Sequence, residues 1–244
     1  MIIQSALLFI LTLFFVPREI GAEEIHVAVA SNFTETIKVI IPKFEAKTGD
    51  KVIISSGSTG KHYTMIKNGA PFDIFLSGDE RCPKLLEEEG LAIMGSRFTY
   101  VQGKLVLWSS YEGYVDANGG VLELGDFQHL AMANPKLAPY GKAAKEVLEN
   151  LGLWEKIPVE RIVRGENISQ TFQFVKSGSA ELGFISFSQI IPDGNYWDIP
   201  QDLYQPILQQ AVLLKDSQTA RAFLDFIKSA ETREIIREYG YEVS

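Results

Sequence analysis

The chain has 244 residues, 46% of them hydrophobic and 22% charged, with a formal net charge of −8. That composition excludes a disordered or collagen-like chain, and the acidic balance offers nothing to nucleic acid or an anionic membrane surface. The single cysteine, Cys82, excludes an internal disulfide and reads as a small packed apolar residue.

Residues 5–16 form an apolar block too short to span a bilayer comfortably, ended by the polar break Pro17-Arg18-Glu19. This reads as the core of a signal peptide. The small pair Gly21-Ala22 offers cleavage before Glu23, so residues 1–22 are assigned to an export leader. Its removal leaves the net charge unchanged, because it takes away one Arg and one Glu. No cysteine stands at the cleavage point to carry a lipid, which favours a free exported protein over a tethered one.

After the leader, strand-like runs alternate with helix-like patterns: strands over 25–30, 52–54 and 74–76, helices over 34–48, 63–68 and 83–89. Such alternation is what βαβ units and a mostly parallel sheet require. A long β-prone run over 99–108 interrupts it, and a second series begins, with strands over 130–133, 161–163 and 182–185 and helices over 142–151 and 170–178. Another β-prone run over 204–214 leads to helices over 218–229 and 232–239. Two β-prone runs flanking a middle series predict two crossings between lobes. The expected division is a discontinuous first domain, 23–103 plus 205–244, and a second domain, 104–204. The fold class is α/β, with a ligand crevice at the carboxyl ends of strands.

Two junctions carry the functional signal. The first strand ends at Ser31-Asn32, and the second at Ser55-Ser56-Gly57-Ser58-Thr59-Gly60. Each would leave unpaired backbone N–H groups and a hydroxyl at a helix N-terminus, where the helix dipole is positive. That is an anion site without a cation. A plain N-cap explains Ser31 or Asn32 alone; two such junctions in one lobe of an exported two-lobed chain point to a ligand.

Competing motifs are weaker. Ser58-Thr59-Gly60-Lys61 fits the S-x-x-K pattern of penicillin-recognising serine enzymes, but Lys47-Thr48-Gly49 lies upstream of it and no S-D-N element occurs. Gly57 to Lys61 has two residues between its glycines where a Walker loop needs four, and His62 follows the lysine. The histidines His26, His62 and His129 are scattered without metal-ligand spacing, so no metal site and no catalytic residue is assigned.

Several blocks, in order over nearly the whole chain after the leader, resemble the periplasmic molybdate-binding proteins of ABC importers, within the type II periplasmic binding fold. They are Val29-Ala30-Ser31-Asn32-Phe33, Ile54-Ser55-Ser56-Gly57-Ser58-Thr59-Gly60, Asn68-Gly69-Ala70-Pro71-Phe72-Asp73, Gly95-Ser96-Arg97-Phe98-Thr99-Tyr100, Asn134-Pro135-Lys136-Leu137-Ala138-Pro139-Tyr140-Gly141, Leu182-Gly183-Phe184-Ile185 and Tyr239-Gly240-Tyr241. The resemblance implies two lobes with mixed, mostly parallel sheets and a cleft between them. It implies oxyanion contacts from Ser31, Asn32 and Thr59 in one lobe, and from Tyr140 and the backbone N–H of Ile168 in the other. Ser58 is close enough to substitute as a contact. Some members carry a ligand-binding Tyr where this chain has Ser186 and a small residue where Tyr140 stands, so Tyr140 is expected to supply the phenol and Ser186 is a doubtful ligand.

The implied ligand is molybdate or tungstate, bound as an oxyanion with no cofactor, and the implied partner is the membrane permease of an ABC importer. The expected protein is a periplasmic monomer without catalytic activity. A fully deprotonated tetrahedral dianion offers only acceptors, so its site should present only donors: hydroxyls, an Asn amide and backbone N–H groups. Phosphate keeps a proton near neutral pH and would favour a carboxylate acceptor. None of the implied contacts is acidic, and Glu166, two residues before Ile168, is the acid whose orientation decides that exclusion.

Overall fold

The computed structural model describes residues 22–190 and 196–243. The apolar block of the leader and all of it but Ala22 lie outside the described residues, as does Ser244. No helix among the described residues is long and apolar enough to cross a membrane.

The chain opens with β1 (Glu24–Ala30), a 3-10 turn (Ser31–Phe33) and α1 (Thr34–Thr48), then β2 (Lys51–Gly57), α2 (Thr59–Lys67), β3 (Ile74–Leu76) and α3 (Arg81–Glu88). Next come β4 (Phe98–Gly103) and β5 (Leu105–Trp108), α4 (Gly120–Leu124), β6 (Leu130–Ala133), α5 (Pro139–Asn150) and β7 (Ile162–Gly165). The remainder is α6 (Ile168–Lys176), β8 (Leu182–Ser186), β9 (Tyr196–Asp198), β10 (Ile207–Leu213), α7 (Gln218–Ile227) and α8 (Ala230–Glu238).

Two five-stranded sheets result, ordered β2-β1-β3-β10-β4 and β7-β6-β8-β5-β9. In each, the first three strands are parallel and the fourth runs against both of its neighbours. The reversed strands, β10 and β5, are the ones that follow the two crossings, so each crossing delivers its strand to the same place in its sheet. Four strands of each sheet therefore share one direction, and the expected mixed, mostly parallel architecture in two lobes is what the structure has.

Alternation of side chains along the strands builds a core on both faces of each sheet. Val27 and Val29 join Phe33, Ile37, Phe44 and Phe223 under α1 and α7, while Ala28 turns the other way to Ile66, Phe75 and Leu86 under α2 and α3. In the second sheet Leu105 and Leu107 pack toward α5, and Val106 and Trp108 pack with Val175 of α6.

Several elements differ from the sequence reading. The hydroxyl residues Ser55 and Ser56 belong to β2, which runs on to Gly57, and Ser56 Oγ lies 2.6 Å from Thr34 Oγ1 at the edge of the sheet. The run over 99–108 is two strands in different sheets, split at Lys104. Helices α2, α5 and α6 begin two to four residues before the apolar periodicity does, because their first turns carry the polar residues of the cleft. Helix α4 and strand β9 have no counterpart in the sequence reading.

Candidate functional site

Four helical starts meet where the lobes face each other: the 3-10 turn leading into α1, α2, α5 and α6. Each follows the carboxyl end of a parallel strand, β1, β2, β6 or β7, as the topology of open α/β sheets dictates. Their first residues line one small cavity: Ala30, Ser31 and Asn32; Gly57, Ser58 and Thr59; Ala138, Pro139 and Tyr140; Asn167 and Ile168. Its empty volume, counting the opening, is about 190 Å³. Among the described residues no charged one lines it.

Local sequence explains the approach of these helices. Pro139 stands in the first turn of α5, where its missing N–H costs nothing. A Cβ on Gly141 would collide with the Ala133 carbonyl, so only glycine lets α5 start so close to the end of β6. Asn167 caps α6, its Oδ1 accepting from Gln170 N–H at 3.0 Å. Ile168, as the first residue of α6, keeps one of the backbone donors that no helix can satisfy internally.

All the side chains in question are buried, with exposures of 6% for Ser31, 5% for Asn32, 2% for Ser58, Thr59 and Ile168, and 1% for Tyr140. Thr59 Oγ1 accepts from Gly78 N–H at 2.9 Å, which leaves its own proton to give. Ser31 Oγ accepts from Ser169 N–H at 3.4 Å. Among the described residues Ser58 Oγ has no hydrogen-bond partner. The Tyr140 phenol accepts from Ser186 Oγ at 3.0 Å and from Gln209 Nε2 at 3.2 Å. Burial pushes the Tyr140 phenol well above its ordinary range, so it stays protonated.

The structure thus gathers Ser31, Asn32, Ser58, Thr59, Tyr140 and Ile168 around one cavity, and Ser186 lies behind Tyr140 without lining it. One sequence expectation needs correction. The Asn32 amide is spent inside the protein, with Nδ2 donating to Gln209 Oε1 at 2.9 Å and to the Tyr241 hydroxyl at 3.0 Å. What Asn32 has left to offer the cavity is its backbone. Sequence reasoning also missed Gln209, fully buried in a run readable only as a β-strand.

Glu166 does not line the cavity; it pairs with Lys61 across the lobes, Nζ to Oε1 at 3.1 Å. Other bonds across the cleft run from Gly60 N–H to Leu137 O at 2.9 Å and from Ser169 Oγ to Ser31 O at 3.0 Å. Lys61 is therefore turned away from Ser58, and His62 Nε2 contacts Val29 O at 3.2 Å, so neither base bonds the serine of the S-x-x-K pattern. Among the described residues no three His, Cys, Asp or Glu side chains gather to hold a metal ion. Cys82 is fully buried, and burial pushes its thiol up to about 12. A larger groove between the lobes carries Asp79, Glu80 and Glu146 beside Arg81 and Lys142, and its carboxylates make it a poor seat for an anion.

Two α/β lobes joined by two crossings, with a small uncharged cavity at their junction, define a two-lobed solute-binding protein. The chain belongs to the bacterial extracellular solute-binding protein family, whose model matches residues 25–242. It is 50% identical over 228 residues to the molybdate-binding protein ModA of Azotobacter vinelandii, covering 90% of each chain. It is 49% identical over 226 residues to ModA of Rhodobacter capsulatus, covering 91% of this chain and 89% of that one. A solved periplasmic molybdate-binding protein of Azotobacter vinelandii superposes with a TM-score of 0.87 at 41% identity, over 90% of this chain and 99% of the other.

Proposed function

We propose that this protein captures molybdate, and tungstate with it, in the periplasm and delivers it as a monomer to the membrane permease of an ABC importer, catalysing nothing. Its leader is residues 1–22, and its lobes divide as 23–103 plus 205–244 and 104–204. The relatives described above support the choice of ligand. The observation that carries the reading is the cavity itself, walled by hydroxyls and helix-terminal N–H groups with no charged side chain.

Such a wall suits a guest that only accepts. Ser31, Thr59 and Tyr140 give hydroxyl protons, Asn32 and Ile168 give backbone N–H groups, and Ser58 adds a hydroxyl without a partner among the described residues. Ser186 acts through Tyr140. Hydrogen bonds to a charged partner contribute roughly 1.5–3 kcal/mol each, and helix-terminus fields add about 0.3–2 kcal/mol. A handful reaches the roughly 12 kcal/mol of nanomolar binding after the costs of closure. With Glu166 held by Lys61, no carboxylate is available to accept the proton of hydrogen phosphate.

Ligand held from both lobes couples binding to their closure, and uncharged donors let the ion go when the lobes part. Calorimetric titration with molybdate, tungstate, sulfate and phosphate tests the reading. Tight binding of the first two and weak binding of phosphate is expected. Sulfate binding as tightly as molybdate overturns the assignment.

A further inference from the structure

We propose that Gln209, which does not line the cavity, sets the kind of anion the cavity accepts by fixing the Tyr140 phenol as a proton donor. Resting on the oxyanion reading above, this role is carried by a relay of hydrogen bonds behind the cavity. The Asn32 main-chain carbonyl can only accept, and the Tyr241 hydroxyl donates to it at 2.8 Å. With its proton directed to that carbonyl rather than to Ser188 Oγ, 2.9 Å away, the Tyr241 oxygen accepts from the Asn32 side chain, which presents its NH2 group there at 3.0 Å. The same NH2 group reaches Gln209 Oε1 at 2.9 Å, and the Tyr100 hydroxyl lies 3.1 Å from that oxygen.

The Gln209 amide is thereby oriented, with Nε2 toward Tyr140 at 3.2 Å. Ser186 Oγ, which takes the Gln189 backbone N–H in a capping box, donates to the same phenol oxygen at 3.0 Å and also lies 2.9 Å from Ser188 Oγ. With Ser186 and Gln209 both donating, the two lone pairs of Tyr140 are filled and its proton is left for the cavity. A Cβ on Gly103 would collide with both the Tyr140 hydroxyl and the Gln209 amide, so the contact between lobes at this point needs glycine. The titratable groups around Gln209 are the phenols of Tyr100, Tyr140 and Tyr241, all raised by burial and all neutral near neutral pH.

The relay makes a distinct demand on the guest: the atom facing Tyr140 must bring a lone pair and no proton. Gln209→Glu reverses this polarity at constant shape. The new carboxylate is still met by the Asn32 amide as a donor, but it draws the Tyr140 proton to itself and turns a phenol lone pair toward the guest. Titration of wild type, Gln209→Glu and Ser186→Ala with molybdate and with phosphate tests this. Gln209→Glu should lose at least about tenfold in molybdate affinity while phosphate holds or gains. Its phosphate binding should strengthen as the pH is lowered through the second ionisation of phosphate.

Ser186→Ala, which opens one lone pair and introduces no charge, should narrow the molybdate-to-phosphate ratio by about threefold. It serves if the carboxylate variant does not fold. A purely structural role would weaken both anions alike, so an unchanged ratio in both variants overturns the proposal. Failure of the wild type to bind molybdate would instead overturn the oxyanion reading.

Discussion

Ser58 carries a hydroxyl with no bonding partner among the described residues, although the residue is 2% exposed and stands at the N-cap position of α2. A buried hydroxyl without a partner costs about 1–3 kcal/mol, so its retention calls for a guest. Thr59 next to it is different, because its Oγ1 also serves Gly78 N–H and its loss would damage the fold. Ser58→Ala should therefore leave the ligand-free melting temperature unchanged or raised while molybdate affinity falls about tenfold. Thermal unfolding and titration of the same variant check both halves, and undiminished affinity would remove Ser58 from the contact set. At this scale the position of Ser31 and Thr59 beside the cavity was legible from the strand-to-helix junctions that carry them, and that of Tyr140 from the resemblance of its Ala-Pro-Tyr-Gly turn. The sequence could not reveal that the Asn32 amide is consumed by Gln209 and Tyr241, because those partners lie 177 and 209 residues away.

Helix α2 is tied to β1 by His62, whose ring meets the Val29 carbonyl and packs edge-on against Phe72 and Phe75. The carbonyl accepts, so Nε2 carries a proton. Burial pulls its pKa down from 6.5 to about 4, with Lys61 lowering it further. Above pH 6.5 neither state binds the extra proton; between there and about 4 the unfolded chain takes it up and the folded chain refuses it. Folding stability should fall by roughly 3 kcal/mol across that window. Urea midpoints at the two ends should differ more for wild type than for His62→Gln, which keeps a donor for Val29; equal slopes would relieve His62 of the effect.

The same scale shows what periodicity can and cannot say about elements. Helix α1 was legible to the residue, since its apolar spacing begins at a hydroxyl and stops before Gly49, which holds a positive φ of 82°. The starts of α2, α5 and α6 were not, because residues devoted to the cavity carry no apolar pattern. The split of the 99–108 run at Lys104 was also unreadable. Both halves are strand formers, and what separates them is pairing with β10 on one side and β8 on the other, each remote in sequence.

At the scale of the whole molecule, the two sheets repeat one topology, and the lobes are joined by the strands that leave β4 and return to β10. The crossings are themselves bonded: Leu105 N–H donates to the Tyr204 hydroxyl at 3.2 Å, and Lys104 pairs with Asp198 at 2.6 Å. Two lobes and two crossings were legible because β-prone runs bracket a self-contained α/β series. The bonds across the cleft were not, since each joins residues whose types are explained equally well by caps and turns.

The cavity's lack of charged groups has an electrokinetic consequence. Nothing in its wall titrates near neutral pH, and no lysine or arginine there offsets the guest, so the loaded particle should carry the ion's full charge on top of a formal −8. It should run ahead of the empty form on a native gel, and its heat of binding should be the same in Tris as in HEPES. A buffer-dependent heat would mean that protons accompany the ion. Without such uptake, the loading state of this carrier is written in its mobility, and can be read without any label.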